Sequence, residues 1–188
     1  REAGIWGLEC DVRWTRDGVA VVHHDPDGRR LHHFTRPIAS MTLRELQPAA
    51  PLIPTLETVV QRYGKRLHLM IEVKAAPGIA PPEVDRSLAA VLASLVPGKD
   101  YHLMSLSLEV LAGIAAVPRR ACLPIARLIP GAAARAAVAH AYGGMTGHYA
   151  FVHRGRIRAL HRQGLRVGTG FVNSPGCLYR EMARGVDW

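Results

Sequence analysis

The chain has 188 residues, 48% of them hydrophobic and 21% charged, the balance of a globular protein with room for one substantial core. No apolar run approaches the roughly 20 residues that a membrane-spanning helix needs, and no basic–apolar–small leader opens the sequence. The formal charge of +9 could signal a polyanion partner, but the arginines are scattered and do not alternate with aromatics along any segment, so no nucleic-acid partner is expected.

In chain order, Arg1–Ala3 read as the end of a helix. The run IWGLECDVRW is strand-like, TRDG a turn and VAVVHHD a second strand, because Asp-Gly between two such runs is a strong hairpin signal. Residues 26–40 are polar and irregular. MTLREL and IPTLETVVQRYG follow as short helices, the second with Thr55 as N-cap and Leu56, Val59 and Val60 at helical spacing. LHLMIEVK is a strand, PPEVDRSLAAVLASLV a helix, YHLMSLS a strand and SLEVLAGIAAV a helix. Further strands are expected at ACLPIARLI, HYAFVH and LRVGTGFVN, with helices over 131–141, RIRALHRQG and CLYREMARG.

After the hairpin, strands and helices alternate with short connections, the pattern of βαβ units around a parallel sheet. No glycine-rich phosphate loop follows any strand, which disfavours an open nucleotide-binding sheet and favours a barrel over residues 1–188 as one domain. Three cysteines, Cys10, Cys122 and Cys177, show no CxxC spacing and are odd in number. A disulfide framework or zinc site is therefore not expected, and a reducing, cytoplasmic compartment fits.

Side chains two apart on a strand share a face. Glu9 and Asp11 therefore point one way, with Leu8, Cys10 and Val12 opposite; Glu72 and Lys74 point one way, with Leu69, Ile71 and Val73 opposite. Both pairs lie toward the C-terminal ends of their strands, the active-site end of a barrel. Three converging carboxylates repel one another unless protonated or bridged by a cation, and oxygen donors suit Mg²⁺ or Ca²⁺. In VAVVHHD, a strand that stays regular to its end allows only one of His23 and His24 to face that cluster, and alternation does not say which. Asp25 can fix a ring tautomer by accepting from it. His32 and His33 read as solvated loop residues, and His140, His148 and His161 as isolated surface positions. Ser105 and Ser107 lack a nucleophile elbow.

Taken together, GLECDVRWTRDGVAVVHHD, IPTLETVV, IEVK, MSLSLEVL and HRQGLRVGTGFVN with GVDW resemble the glycerophosphodiester phosphodiesterases. The resemblance is most specific over the first 25 residues and least over 110–155. It implies an α/β (β/α)8 TIM barrel whose first and last strands are missing from this chain. It implies Glu9, Asp11 and Glu72 as ligands of a divalent cation (Mg²⁺ or Ca²⁺), with His24 as one of two catalytic histidines and Lys74 neutralising the phosphoryl group. The activity implied is hydrolysis of a small-molecule glycerophosphodiester to glycerol 3-phosphate and an alcohol. The alternatives are a catalytically degenerate barrel that binds phosphate esters and a phospholipase D-like relative. Two departures stand out. The family's upstream His-Arg-Gly and Glu-Asn have no counterpart before the ExD strand; His153-Arg154-Gly155 lacks the following Glu-Asn. Gly170 and Phe171 stand where the family has a tryptophan, so Phe171 is the candidate for its substrate contact.

Overall fold

Sheet formation here follows from runs of Val, Ile, Leu and Met bounded by Gly, Pro and polar turns. The computed structural model describes residues 4–188, so the helix end expected at Arg1–Ala3 lies outside the described residues. Strands β1 (Gly7–Trp14) and β2 (Ala20–Val22) form the expected hairpin, with Val12 opposite Val22 and Trp14 opposite Ala20. Gly18 at its tip has φ 77°, a conformation glycine adopts without steric cost. Helices α1 (Leu43–Ala49) and α2 (Leu56–Tyr63) follow, then β3 (His68–Val73), α3 (Pro81–Leu92), β4 (Tyr101–Ser105) and α4 (Leu108–Gly113). The rest is β5 (Cys122–Ala126), α5 (Pro130–Ala139), β6 (Gly144–His148), α6 (Arg154–His161), β7 (Arg166–Gly170) and α7 (Pro175–Arg184). Thr55 caps α2 as anticipated, its hydroxyl accepting from the Thr58 N–H at 3.1 Å.

The strands form one sheet in the order β2-β1-β3-β4-β5-β6-β7, parallel throughout except for the hairpin. Beyond β7, the Asp187 N–H donates to the Val167 carbonyl and the Thr169 N–H to the Trp188 carbonyl, so GVDW runs along β7 as the sequence suggested. Trp188 then packs with Met70, Met104, Leu123 and Ile125 from β3, β4 and β5. A side chain beyond the last strand reaches the third, fourth and fifth only because the sheet curls strongly, as a barrel wall does. Among the described residues the sheet is open between the first half of β1 and Trp188.

Alternation divides the strands into two environments. Val12, Trp14, Leu69, Ile71, Val73 and Leu103 point outward, where Leu56, Val84, Leu88 and Leu111 of the helices bury them. At about 1.5–3 kcal/mol for each fully buried large apolar side chain, this outer layer supplies most of the stability. The inner face is freed to hold charge. Its lower part carries the buried pair His68 and His102, joined Nε2 to Nδ1 at 2.8 Å, with His68 Nδ1 2.8 Å from the Lys99 carbonyl oxygen.

One element departs from expectation. β6 is the glycine-containing GMTGH at 144–148; of the expected HYAFVH only His148 belongs to it, and residues 149–151 form a turn. The apolar, aromatic run drew the expectation, but backbone spacing decided the outcome. A Cβ at Gly143 would collide with the Arg120 carbonyl, and one at Gly144 with the Arg166 carbonyl, so only glycine allows the chain in between β5 and β7. Gly144→Ala is expected to lower stability by about 1–3 kcal/mol in urea unfolding. Gly176→Ala, where an added Cβ meets nothing, is expected to stay within about 0.5 kcal/mol.

Candidate active site

β1 and β3 lie side by side with Asp11 directly opposite Glu72. Glu9 sits one pleat earlier on β1, and Lys74 one pleat later beyond β3, its N–H donating to the Val12 carbonyl at 3.1 Å. All four therefore reach the inner face at the C-terminal end of the sheet, as alternation predicted. One oxygen each of Glu9, Asp11 and Glu72 lies within 4.8 Å of the others. Lys74 Nζ is 2.8 Å from Asp11 Oδ1 and also bonded to Glu72 Oε1.

This crowding leaves its mark on Glu9. Glu9 keeps solvent contact, but partial loss of hydration on the inner face, then the Asp11 and Glu72 charges, push its carboxyl up to about 7, with Lys74 and His24 opposing. Lys74 loses charge stability to burial, but its bonds to Asp11 and Glu72 outweigh that and hold it above the ordinary lysine range. Three oxygen donors around one point, with a residual repulsion that one ammonium does not cancel, fit a hard divalent cation.

The hairpin brings the histidines to the same place. β2 ends at Val22, so strand alternation no longer applies to the two that follow. As a result both His23 and His24 line a hollow of about 330 Å³ with Glu9 and Asp11, where a regular strand would have admitted one. His23 is buried; its N–H donates to the Asp11 carbonyl at 3.0 Å and its Nδ1 lies 2.9 Å from the Asp25 carbonyl oxygen. His24 is exposed, with Nδ1 2.6 Å from Asp25 Oδ1. Arg30 Nε donates to Asp25 Oδ2 at 2.7 Å. Arg30, and then His24, hold the Asp25 carboxyl well below the usual carboxylate range.

Other residues of the site were not foreseen. His32, expected to be solvated, lines the hollow, its ring 5.4 Å from that of His23, together with Leu31, Leu52 and Ile53. Arg13 Nε donates to the His24 carbonyl at 2.9 Å; its place two residues after Asp11 was a signal available in the strand pattern. His148 is not an isolated surface residue. It ends β6 and stacks on Phe171 at 4.8 Å and on Tyr149 at 4.7 Å. Phe171 follows β7 with φ 66° and is 70% exposed. Ser105 is buried, donating to the Val73 carbonyl at 2.8 Å, and His153 caps α6. All three cysteines carry free thiols.

This arrangement has relatives. A family model described as the glycerophosphoryl diester phosphodiesterase family matches residues 1–188. YhdW of Bacillus subtilis (strain 168), assigned by name to the glycerophosphodiester phosphodiesterases, is 38% identical over 81 residues, 37% of this chain and 33% of its own length. The chain thus spans about a third of that curated relative. An Oleispira antarctica phosphodiesterase, solved with its product sn-glycerol-3-phosphate, is 21% identical with TM-score 0.79, covering 99% of this chain and 81% of that one. A glycerophosphodiester phosphodiesterase from Thermotoga maritima is 22% identical, also with TM-score 0.79 and the same coverages. The chain belongs to the glycerophosphoryl diester phosphodiesterase family and shares the TIM-barrel architecture of its solved relatives.

The charge balance around Glu9 has a measurable consequence. Its folded value of about 7 lies above the ordinary carboxyl value of 4.5, so the folded chain holds the proton more tightly than the unfolded one between those limits. Stability from this group is therefore full below about 4.5 and lost as pH rises through about 7. In EDTA, the melting temperature of the unaltered chain is expected to fall relative to Glu9→Gln over that window. Millimolar Mg²⁺ or Ca²⁺ at pH 8 is expected to close the gap. A difference that does not change with pH would refute this account of Glu9.

Proposed function

We propose that the chain hydrolyses glycerophosphodiesters to sn-glycerol 3-phosphate and an alcohol, with a divalent cation held by Glu9, Asp11 and Glu72. The observation that carries this reading is the meeting of three carboxylates, Lys74 and the His24–Asp25 pair at one end of the sheet. Family membership supports it, and the product bound to the Oleispira antarctica relative supports the glycerol 3-phosphate half of the substrate. Mg²⁺ and Ca²⁺ both suit the all-oxygen donor set. The three free thiols fit a reducing compartment, the cytoplasm. Among the described residues no helix is long and apolar enough to cross a membrane.

A bound divalent cation would supply a Lewis acid toward a non-bridging phosphoryl oxygen. The chain's own residues do the rest. Lys74, anchored between Asp11 and Glu72, places a fixed positive charge where negative charge builds on the phosphoryl group. With its Nδ1–H donated to Asp25, His24 keeps Nε2 free to take a proton or to give one to the departing alkoxide. Arg30 holds Asp25, and Arg13 holds the His24 backbone, so the ring has little freedom to turn. Phe171, stacked on His148, offers an apolar wall to the leaving alcohol.

The reading is tested by following hydrolysis of glycerophosphocholine with and without EDTA. Activity is expected to need a divalent cation. Glu9→Ala is expected to abolish that dependence together with the activity, and His24→Ala to lower kcat on the order of 10²–10⁴-fold. A barrel that binds sn-glycerol 3-phosphate but turns over no diester in the presence of either cation would favour the non-catalytic alternative.

A further inference from the structure

Large apolar side chains are exposed in a pattern. Leu106 follows β4, Leu128 and Ile129 follow β5, Phe151 follows β6 and Phe171 follows β7, with exposures from 43% to 72%. Because these strands are parallel, each position falls at the same end of the sheet, the end that carries Asp11, Glu72 and Lys74. Leu52, 84% exposed, adds to the ring from beside the hollow itself. Scattered exposed hydrophobics are ordinary, but one from each of four successive loops around a single mouth marks an interaction surface.

The charges of this end say what it meets. Arg127 lies between β5 and Leu128, and Arg154 opens α6 just after Phe151. Among the described residues neither forms an ion pair, whereas Asp25 and Asp27 at the same end are matched by Arg30 and Arg29. The β5–β6 side of this end therefore combines apolar tips with two unmatched guanidinium groups, while Glu83 and Glu109, also without ion pairs, open α3 and α4 further round. The chain as a whole carries a net charge of +9. Amphipathic surfaces of that kind enter the headgroup boundary of anionic bilayers, where apolar burial and lipid phosphates act together.

We propose that the C-terminal end of this barrel docks on an anionic phospholipid surface, with Leu128, Ile129, Phe151 and Phe171 in the headgroup boundary and Arg127 and Arg154 against lipid phosphates.

The test is co-sedimentation of the full chain with vesicles of equal parts phosphatidylcholine and phosphatidylglycerol, beside vesicles of phosphatidylcholine alone. Binding is expected to the anionic vesicles and to weaken as salt is raised. The double variant Leu128→Ser/Ile129→Ser, and separately Arg127→Gln/Arg154→Gln, are each expected to lower partitioning on the order of tenfold. The first is expected to leave glycerophosphocholine hydrolysis unchanged. No binding by the unaltered chain, equal binding to both vesicle types, or undiminished binding by the Leu128/Ile129 variant would overturn the proposal. So would sedimentation velocity showing a dimer that this variant dissolves, since the ring would then be an interface between copies. Absence of vesicle binding by the unaltered chain, with its glycerophosphocholine hydrolysis intact, sinks the lipid surface alone. Absent hydrolysis with vesicle binding intact sinks the phosphodiesterase reading alone.

Discussion

Three carboxylates whose oxygens lie within 4.8 Å of one another repel strongly, and the fold must supply positive charge where it places them. Lys74 is the first source, bonded to Asp11 and Glu72. It leaves Glu9 unmatched, and partial loss of hydration together with the two neighbouring charges drives that carboxyl up to about 7. The site is therefore built short of one positive charge, an imbalance that a divalent cation would offset. The outer layer of Val, Ile and Leu carries the stability that lets the inner face hold such an arrangement.

How much of this was legible follows from the physics of strands. A period of two assigns Glu9, Asp11, Glu72 and Lys74 to one face without knowledge of the fold, and parallel pairing then sets Asp11 against Glu72. The outward faces were equally readable, since the same alternation put Ile71 and Val73 among the helices. Alternation fails where a strand stops. β2 ends at Val22, so the regular strand on which the choice between His23 and His24 depended stops short of both, and both line the hollow.

Other features were not legible because they depend on backbone spacing or on contacts between distant segments. The sixth strand was expected on HYAFVH, and tight approach of neighbouring carbonyls put it on the glycines instead. His32, Leu52 and Ile53 come to the site from irregular chain, where no period operates. The stack of His148 on Phe171 joins the ends of two strands and has no local signature. The ring of exposed apolar side chains likewise becomes visible only when parallel strands bring successive loops to one end.

The histidine pair on the inner face has a consequence for the opposite end of the barrel. His102 is buried against His68 and near Arg166; burial first, then those charges, lowers it to about 4, and burial lowers His68 as well. Protonating either ring is easier in the unfolded chain, so stability is full above about 6.5 and is lost as pH falls toward 4. The mouth of the barrel gains protons on Glu9 without penalty over part of that range, while its floor resists them. Acidification therefore works against the molecule from below, through the floor where Trp6, His68, His102 and Trp188 pack on one another.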